Sequence, residues 1–256
     1  QPRFAGDELP ASGTGQALAI AERLDTLTGI FAIGQTPTGD KDPFGLRRSA
    51  LGLLRILIEK RLDLDLTTLI ATAAQLLPEE VQAAAITEDL FSFMMERLRA
   101  YYLDAGYDSH MFAAVLARRP ARPLDFDQRI HAVRAFGELA EAESLAAANK
   151  RIRNILRKAD TDIPAGCNQQ LLQEPAEQTL AAAVGELQTV VEPLLQQRQY
   201  TETLRKLADL QAPVDAFFDQ VMVMADDQRL RDNRLALLHS LSRLFLQVAD
   251  ISLLQK

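Results

Sequence analysis

The sequence has 256 residues, 48% of them hydrophobic and 25% charged, which is enough to bury a sizeable core in one or two globular domains. Its formal net charge of −7 argues against a surface that binds nucleic acid everywhere, but it is compatible with one basic face. The single cysteine, Cys167, excludes an intrachain disulfide and a cysteine-based metal site, and no apolar run is long enough to span a membrane. We expect a protein of the reducing cytoplasm and, because the sequence does not begin with Met, part of a longer chain.

The first half of the chain is predicted to be helical, because apolar residues recur at three- and four-residue steps and no strand pattern is present. Residues 1–15 should be irregular. In the second helix, Asp42 is the expected N-cap and Pro43 the first helical residue. The buried stripe expected for this helix consists of Leu46, Ala50, Leu53 and Leu57. The helices predicted in this half are 16–32, 43–61, 66–77, 87–102, 109–118 and 126–139.

The second half is also predicted to be helical, which makes the expected fold all-α, a multi-helix bundle. The helices predicted there are 141–158, 175–197, 200–210, 213–224 and 226–254. Pro193 should kink or end the helix that contains it. Helical spacing predicts core positions for Phe217, Phe218, Met222 and Met224. A boundary between residues 118 and 139 divides the chain into two predicted domains, 1–137 and 138–256.

Catalytic and metal-binding motifs are missing from the sequence. The three histidines, His110, His131 and His239, lie far apart and have no ligand spacing around them, and neither a phosphate-binding glycine loop nor a nucleophile motif is present. Glu22 and Asp25 share a helix face and could bind a cation, although a solvated helix surface is the simpler interpretation. We therefore predict no catalytic residue, no metal site and no cofactor in this stretch of chain.

The helix predicted over 141–158 carries the strongest candidate site. Five of the nine residues from 150 to 158 are Lys or Arg, in a chain that is negative overall. An apolar stripe should be buried, which puts Lys150, Arg153 and Arg157 together on the opposite face. That stripe consists of Leu145, Ala148, Ile152, Ile155, Leu156 and Ala159.

Cationic side chains on one rigid helix can contact the phosphates of an RNA backbone, and an arginine can also stack on an unpaired base. The candidate RNA-binding residues of this helix are Asn149, Lys150, Arg151, Arg153, Asn154 and Arg157. The two asparagines could reach base edges. The alternative is a solvated face whose charge is balanced by Glu138, Glu141 and Glu143.

Two weaker basic sets lie elsewhere. Arg48 and Arg55 are seven residues apart on one helix face, and ion pairing with Glu59, Asp40 or Asp42 is an equal alternative for them. Arg231 and Arg234 follow acidic residues at the expected start of the last helix, a pattern that also stabilises the helix dipole. These four arginines complete the candidate RNA-binding set.

Several stretches resemble, in the same order, the β subunit of bacterial glycyl-tRNA synthetase. In the first half they are Pro2–Asp7, Leu18–Gly34 and Lys41–Phe44. In the second half they are Ala147–Ile152, Asn154–Leu156, Val214–Phe218, Val221–Met224 and Leu230–Leu238. No single stretch is specific, but their combination and order are.

The resemblance implies the end of an HD-type helical domain followed by a DALR-type anticodon-binding bundle, in a C-terminal fragment of the subunit. It implies binding of tRNA(Gly) by this chain, with ATP, Mg²⁺ and glycine handled by an α subunit in an enzyme of two α and two β chains. The fragment alone should not catalyse ligation. HD-type domains are often metal phosphohydrolases, but without a His-Asp pair we expect no such activity. A non-catalytic helical scaffold that docks the α subunit or another protein is the alternative.

Overall fold

The computed structural model describes residues 8–78, 83–159 and 162–255, and within these ranges it contains helices and no strand beyond a single bridge between Thr38 and Lys41. The predicted all-α class is confirmed. The chain divides into two compact units. The N-terminal unit comprises Gln1–Ser109 with Pro120–Asp127, and the C-terminal unit comprises His110–Arg119 with Gln128–Lys256. Among the described helices, none combines the length and apolarity needed to cross a membrane.

The N-terminal unit is built on four mutually packed helices. They are α1 (Gly13–Ala32), α2 (Leu46–Glu59), α3 (Leu66–Ala74) and α4 (Ala83–Asp104). Helix α1 packs on α2, α3 and α4, and α4 also packs on α2 and α3. The predicted stripe of α2 is confirmed, because Leu46, Ala50, Leu53 and Leu57 are all fully buried.

The starts of α1 and α2 differ from the prediction. Helix α1 begins at Gly13 within the segment predicted to be irregular, because the Ser12 side chain caps it by accepting a hydrogen bond from the Gly15 N–H. Helix α2 begins at Leu46 rather than at Pro43. The N-cap is Gly45 instead of the predicted Asp42, although the Asp42 carboxylate accepts hydrogen bonds from the Leu46 and Arg47 N–H groups. The part of the predicted irregular start that covers residues 1–7 lies outside the described residues.

Two helical glycines of the N-terminal unit are expected to respond oppositely to alanine. A methyl group at Gly29 would meet no atom within 4 Å, so Gly29→Ala should stabilise by about 0.5–1 kcal/mol through helix propensity. At Gly52 the methyl would lie 2.9 Å from Nε of Arg23, whose guanidinium is buried and held by the Ala19 carbonyl. Gly52→Ala should therefore destabilise by about 1–3 kcal/mol. Urea unfolding of both variants checks this pair, and stabilisation by Gly52→Ala would contradict the packing argument.

The C-terminal unit contains most of α5 (Ser109–Leu116), the second part of α6 (Pro123–Gly137) and all of the remaining helices. Those are α7 (Ala142–Lys158), α8 (Pro175–Gln196), α9 (Tyr200–Leu207), α10 (Gln211–Gln220) and α11 (Gln228–Leu246). Short 3-10 turns follow α9 and α11, at Ala208–Leu210 and Ile251–Leu253. Helix α7 packs on α10 and α11 and on the turn Ile251–Leu253.

Helix α8 agrees with its predicted range of 175–197 to within one residue, and it continues through Pro193, so the proline does not end it. Two other predicted helices of this unit are wrong in their extent. Helix α10 ends at Gln220, and Val221 after it has an extended backbone. Consequently Met222 and Met224, predicted for the core, are 75% and 53% exposed. Helix α11 ends at Leu246 instead of continuing to 254.

Candidate nucleic-acid interface

Helix α7 presents a row of cationic side chains to solvent. Its inner side is fixed by Leu145, Ala148 and Ile152, which are buried as predicted, while Ile155 and Leu156 are half-buried. The exposed side chains are those of Lys150, Arg151, Arg153, Asn154, Arg157 and Lys158. The helix therefore holds these groups on a rigid support.

The structure separates Arg153 from the other cations of α7. Its guanidinium donates to the Asp250 carboxylate at 2.9 Å and to the Ser252 hydroxyl at 3.3 Å, after the end of α11. The charge of Arg153 is therefore compensated by Asp250, a residue that sequence analysis did not consider as its partner. Because successive residues rotate by about 100° around a helix, Arg151 lies on the other side of α7 from Arg153, and Lys150 lies between the two.

An open groove runs along that other side of α7, with a volume of about 360 Å³. We call it the α7 groove, and its lining residues are Ala147, Lys150, Arg151, Asn154, Ile155, Lys158 and Gln255. Within the described ranges, Lys150, Arg151 and Lys158 have no ion-pair partner. Three uncompensated positive charges thus surround an open groove, which is a suitable environment for an anionic ligand.

One side of the α7 groove carries an arginine stacked on an aromatic ring. The guanidinium carbon of Arg151 lies 4.1 Å from the centroid of the Phe218 ring, within cation–π distance. Phe218 in turn meets the edge of the fully buried Phe217 ring, with the centroids 5.6 Å apart. A hydrogen bond from the Ser144 hydroxyl to the Asp215 carboxylate, 2.9 Å long, ties α7 to α10 nearby. Arg151 of α7 therefore contacts α10 through the Phe218 ring.

Comparison with known families matches both halves of the chain. Residues 1–117 match the family described as glycyl-tRNA synthetase β subunit. Residues 145–254 match the family described as DALR anticodon binding domain. The chain belongs to the glycyl-tRNA synthetase β subunit family. The groove-lining residues of α7 all lie within the part that matches the anticodon-binding family.

Curated relatives agree with this assignment. The chain is 55% identical over 255 residues to the glycine–tRNA ligase β subunit of Vibrio atlanticus (strain LGP32), which is 100% of this chain and 37% of that protein. It is 56% identical over 254 residues to the β subunit of Haemophilus influenzae (strain PittEE), covering 99% of this chain and 37% of the relative. The match to the β subunit of Escherichia coli O1:K1 / APEC is 54% identical over 255 residues, again 100% and 37%. The chain thus spans just over a third of these relatives.

Two of the predicted tRNA-binding residues of this β-subunit family member are buried. Asn149 is only 4% exposed, and its amide donates to the Leu145 carbonyl. Arg234 is 6% exposed and donates to the Glu177 carboxylate and to the Met222 carbonyl. Both side chains already have partners in the interior, so the contact surface that we propose below excludes them.

The pair of Arg234 and Glu177 forms a buried polar centre in the C-terminal unit. Glu177 is 1% exposed, and its carboxylate also accepts hydrogen bonds from the N–H groups of Gln173 and Glu174, at 2.7 and 3.0 Å. Burial by itself raises the pKa of Glu177, but these N–H groups and the Arg234 guanidinium outweigh it and hold the pKa below the ordinary value. Glu177 is therefore ionised in the folded unit and joins α8 to α11.

The remaining predicted arginines occupy different environments. Arg231 is half-buried and donates to the Ala225 carbonyl at 2.9 Å, which fixes the turn before α11. In the N-terminal unit, Arg55 pairs with Glu59 through a contact of 2.6 Å, so the ion-pair alternative is confirmed for it. Arg48 is exposed, and its guanidinium lies against Gly45.

The candidate cation site at Glu22 and Asp25 gains no further ligands. Glu22 contacts the Arg23 guanidinium at 3.3 Å. Across the described ranges, no group of three or more His, Cys, Asp or Glu side chains could hold a metal ion.

Proposed function

We propose that this chain is the tRNA-recognition part of a glycine–tRNA ligase β subunit, and that its C-terminal unit binds tRNA(Gly). The observation that carries the proposal is the α7 groove, whose unpaired cations lie in the segment that matches the anticodon-binding family. In this proposal an α subunit attaches glycine with ATP and Mg²⁺, in a cytoplasmic enzyme of two α and two β chains. The anticodon-binding bundle would occupy residues 138–256.

The charge distribution supports contact with a folded RNA at one face only. The chain is negative overall, so nonspecific attraction of phosphates across the whole surface is weak. Lys150, Arg151, Arg157 and Lys158 concentrate positive charge on one exposed side of α7. The Asn154 amide between them accepts a hydrogen bond of 3.4 Å from Arg157 and has N–H donors for a base edge. We accordingly assign phosphate contacts to the cations and base contact to Asn154.

Fluorescence anisotropy of labelled tRNA tests the proposal directly. Three RNAs should be compared over a salt series: tRNA(Gly), the same tRNA with a changed anticodon, and an unrelated tRNA. We expect preference for tRNA(Gly), lost when the anticodon changes, and an affinity that falls with salt. Equal, weak binding of all three would indicate a generic basic face. No binding at low salt would instead favour the scaffold that docks the α subunit.

Neutralising the cations of α7 should weaken tRNA binding selectively. The triple variant Lys150→Ala, Arg157→Ala and Lys158→Ala removes three exposed charges and should lower the affinity for tRNA(Gly) by about 10- to 100-fold. The dependence of log Kd on log salt should also become shallower by roughly two units.

A matched control exists on the same unit. The triple variant Arg205→Ala, Lys206→Ala and Arg229→Ala also removes three exposed positive charges, but from α9 and α11. We expect it to change the affinity by less than about threefold, since none of these residues lines the α7 groove. Equal losses in both triple variants would show that net charge alone, and not the face of α7, determines binding.

A further inference from the structure

We infer that Arg151, stacked on Phe218, is a platform for one unpaired nucleobase at the α7 groove. The inference rests on the proposed tRNA-binding function and specifies which chemical group occupies the groove. It assigns a role to Phe218, which sequence analysis placed in the core. The ring instead is half-buried and has a guanidinium over its face.

The stacked arrangement fits a planar ligand better than a point charge. A guanidinium is flat, and in Arg151 one side of it is covered by the Phe218 ring at 4.1 Å. Because Arg151 is exposed, its other side is open to a ligand. Unpaired bases commonly stack on the planes of arginine side chains. A base laid on Arg151 would extend a stack of ring, guanidinium and base.

The platform is held in place before any ligand arrives. Phe217 is fully buried beside Phe218, and the bond from Ser144 to Asp215 fixes the crossing of α7 and α10. A side chain that is already ordered loses little entropy when a ligand binds, so the contact yields more affinity than a mobile arginine would.

The groove beside the platform suits the rest of a nucleotide. Its volume of about 360 Å³ lies within the range of small-molecule sites. Ala147 and Ile155 supply apolar surface, while Lys150 and Lys158 can each contact a flanking phosphate. An acidic peptide would also be attracted by these charges, but it would gain nothing from the Phe218 ring beneath Arg151.

The experiment measures the binding of each of two protein variants to each of two RNAs. Phe218→Leu removes the aromatic ring and keeps every charge. Arg151→Lys keeps the positive charge and removes the planar guanidinium. The RNAs are tRNA(Gly) and the same tRNA with the three anticodon bases removed, leaving the phosphates intact. Fluorescence anisotropy on the 256-residue chain measures each combination.

We expect each variant to weaken binding of intact tRNA(Gly) by about 5- to 50-fold and to leave binding of the abasic RNA unchanged. Wild-type protein should itself bind the abasic RNA less tightly. Equal losses on both RNAs, or equal wild-type affinities for them, would overturn the base platform and leave a purely electrostatic or structural contact. A failure of wild-type protein to bind tRNA(Gly) at all would instead overturn the proposed function. Arg151→Lys keeps the test valid if Phe218→Leu disturbs folding, which circular dichroism would detect.

Discussion

Glu177→Leu is expected to lower the free energy of unfolding of the C-terminal unit by about 3–5 kcal/mol. The substitution leaves the Arg234 guanidinium buried without a counter-charge, and it removes the acceptor for two N–H groups at the start of α8. A folded domain is stable by only about 5–15 kcal/mol, so this loss is a large fraction of the total.

A second variant separates the cost of a buried, uncompensated charge from the cost of lost packing. In the double variant Glu177→Leu and Arg234→Met, no buried charge remains uncompensated, and the total cost should be about 2 kcal/mol less than that of Glu177→Leu alone. A double variant that is less stable than the single one would show that the ion pair is not the dominant contribution.

The same carboxylate should make the unit sensitive to acid. Because the pKa of Glu177 is lower in the folded state than its ordinary value of 4.5, the ionised form stabilises the fold above about pH 4.5. This stabilisation is lost as the pH falls through the lowered folded-state pKa. The stability difference between wild type and the double variant should therefore narrow at acidic pH, and a constant difference would contradict the assignment.

The measurement has to follow each unit separately. The chain contains no tryptophan and divides into two units, so a single unfolding transition cannot be assumed. Urea unfolding monitored by circular dichroism gives the overall loss of helix. Hydrogen exchange of peptides from α8 and α11 then assigns the loss to the C-terminal unit.

Local features of the fold could be predicted from the sequence because they depend on neighbours along the chain. The α2 stripe of Leu46, Ala50, Leu53 and Leu57 follows from helical periodicity and is confirmed. The contact of the Asp42 carboxylate with the start of α2 also follows from the sequence, although the helix begins three residues later and its N-cap is Gly45. The segment after α10 shows the limit of prediction from helical periodicity, because the chain there is no longer helical and alternate residues are buried. Val221 and Val223 point inward there, and the two methionines point outward.

The candidate site depends on partners that are distant in sequence. Glu177 lies 57 residues from Arg234, and Asp250 lies 97 residues from Arg153. No local pattern identifies such pairs, so the sequence ranks basic residues by their clustering alone and does not show which of them are paired. The stack of Arg151 on Phe218 was missed for the same reason, since helical spacing alone cannot show which of two adjacent phenylalanines is covered.

Arg129→Met is expected to destabilise the C-terminal unit by about 2–3 kcal/mol. The guanidinium donates to the carbonyls of Gln247 and Val248, at 2.6 and 2.7 Å, and to the Tyr200 hydroxyl at 2.9 Å. It also lies 4.3 Å from the centroid of the Tyr200 ring. Each hydrogen bond contributes about 1 kcal/mol and the cation–π contact about as much, while water can replace some of the exposed bonds. Arg129 therefore connects α6 to α9 and to the chain that leaves α11.

Two controls define the origin of the Arg129 effect. Arg205→Met makes the same change at an exposed position of α9 and should alter stability by less than about 0.5 kcal/mol. Arg129→Lys retains the charge but cannot reach three acceptors from one plane, so it should recover less than half of the loss. Full recovery with lysine would mean that the positive charge of residue 129 alone provides the stability. The planar set of hydrogen bonds would then not be what holds the chain after α11 against α6.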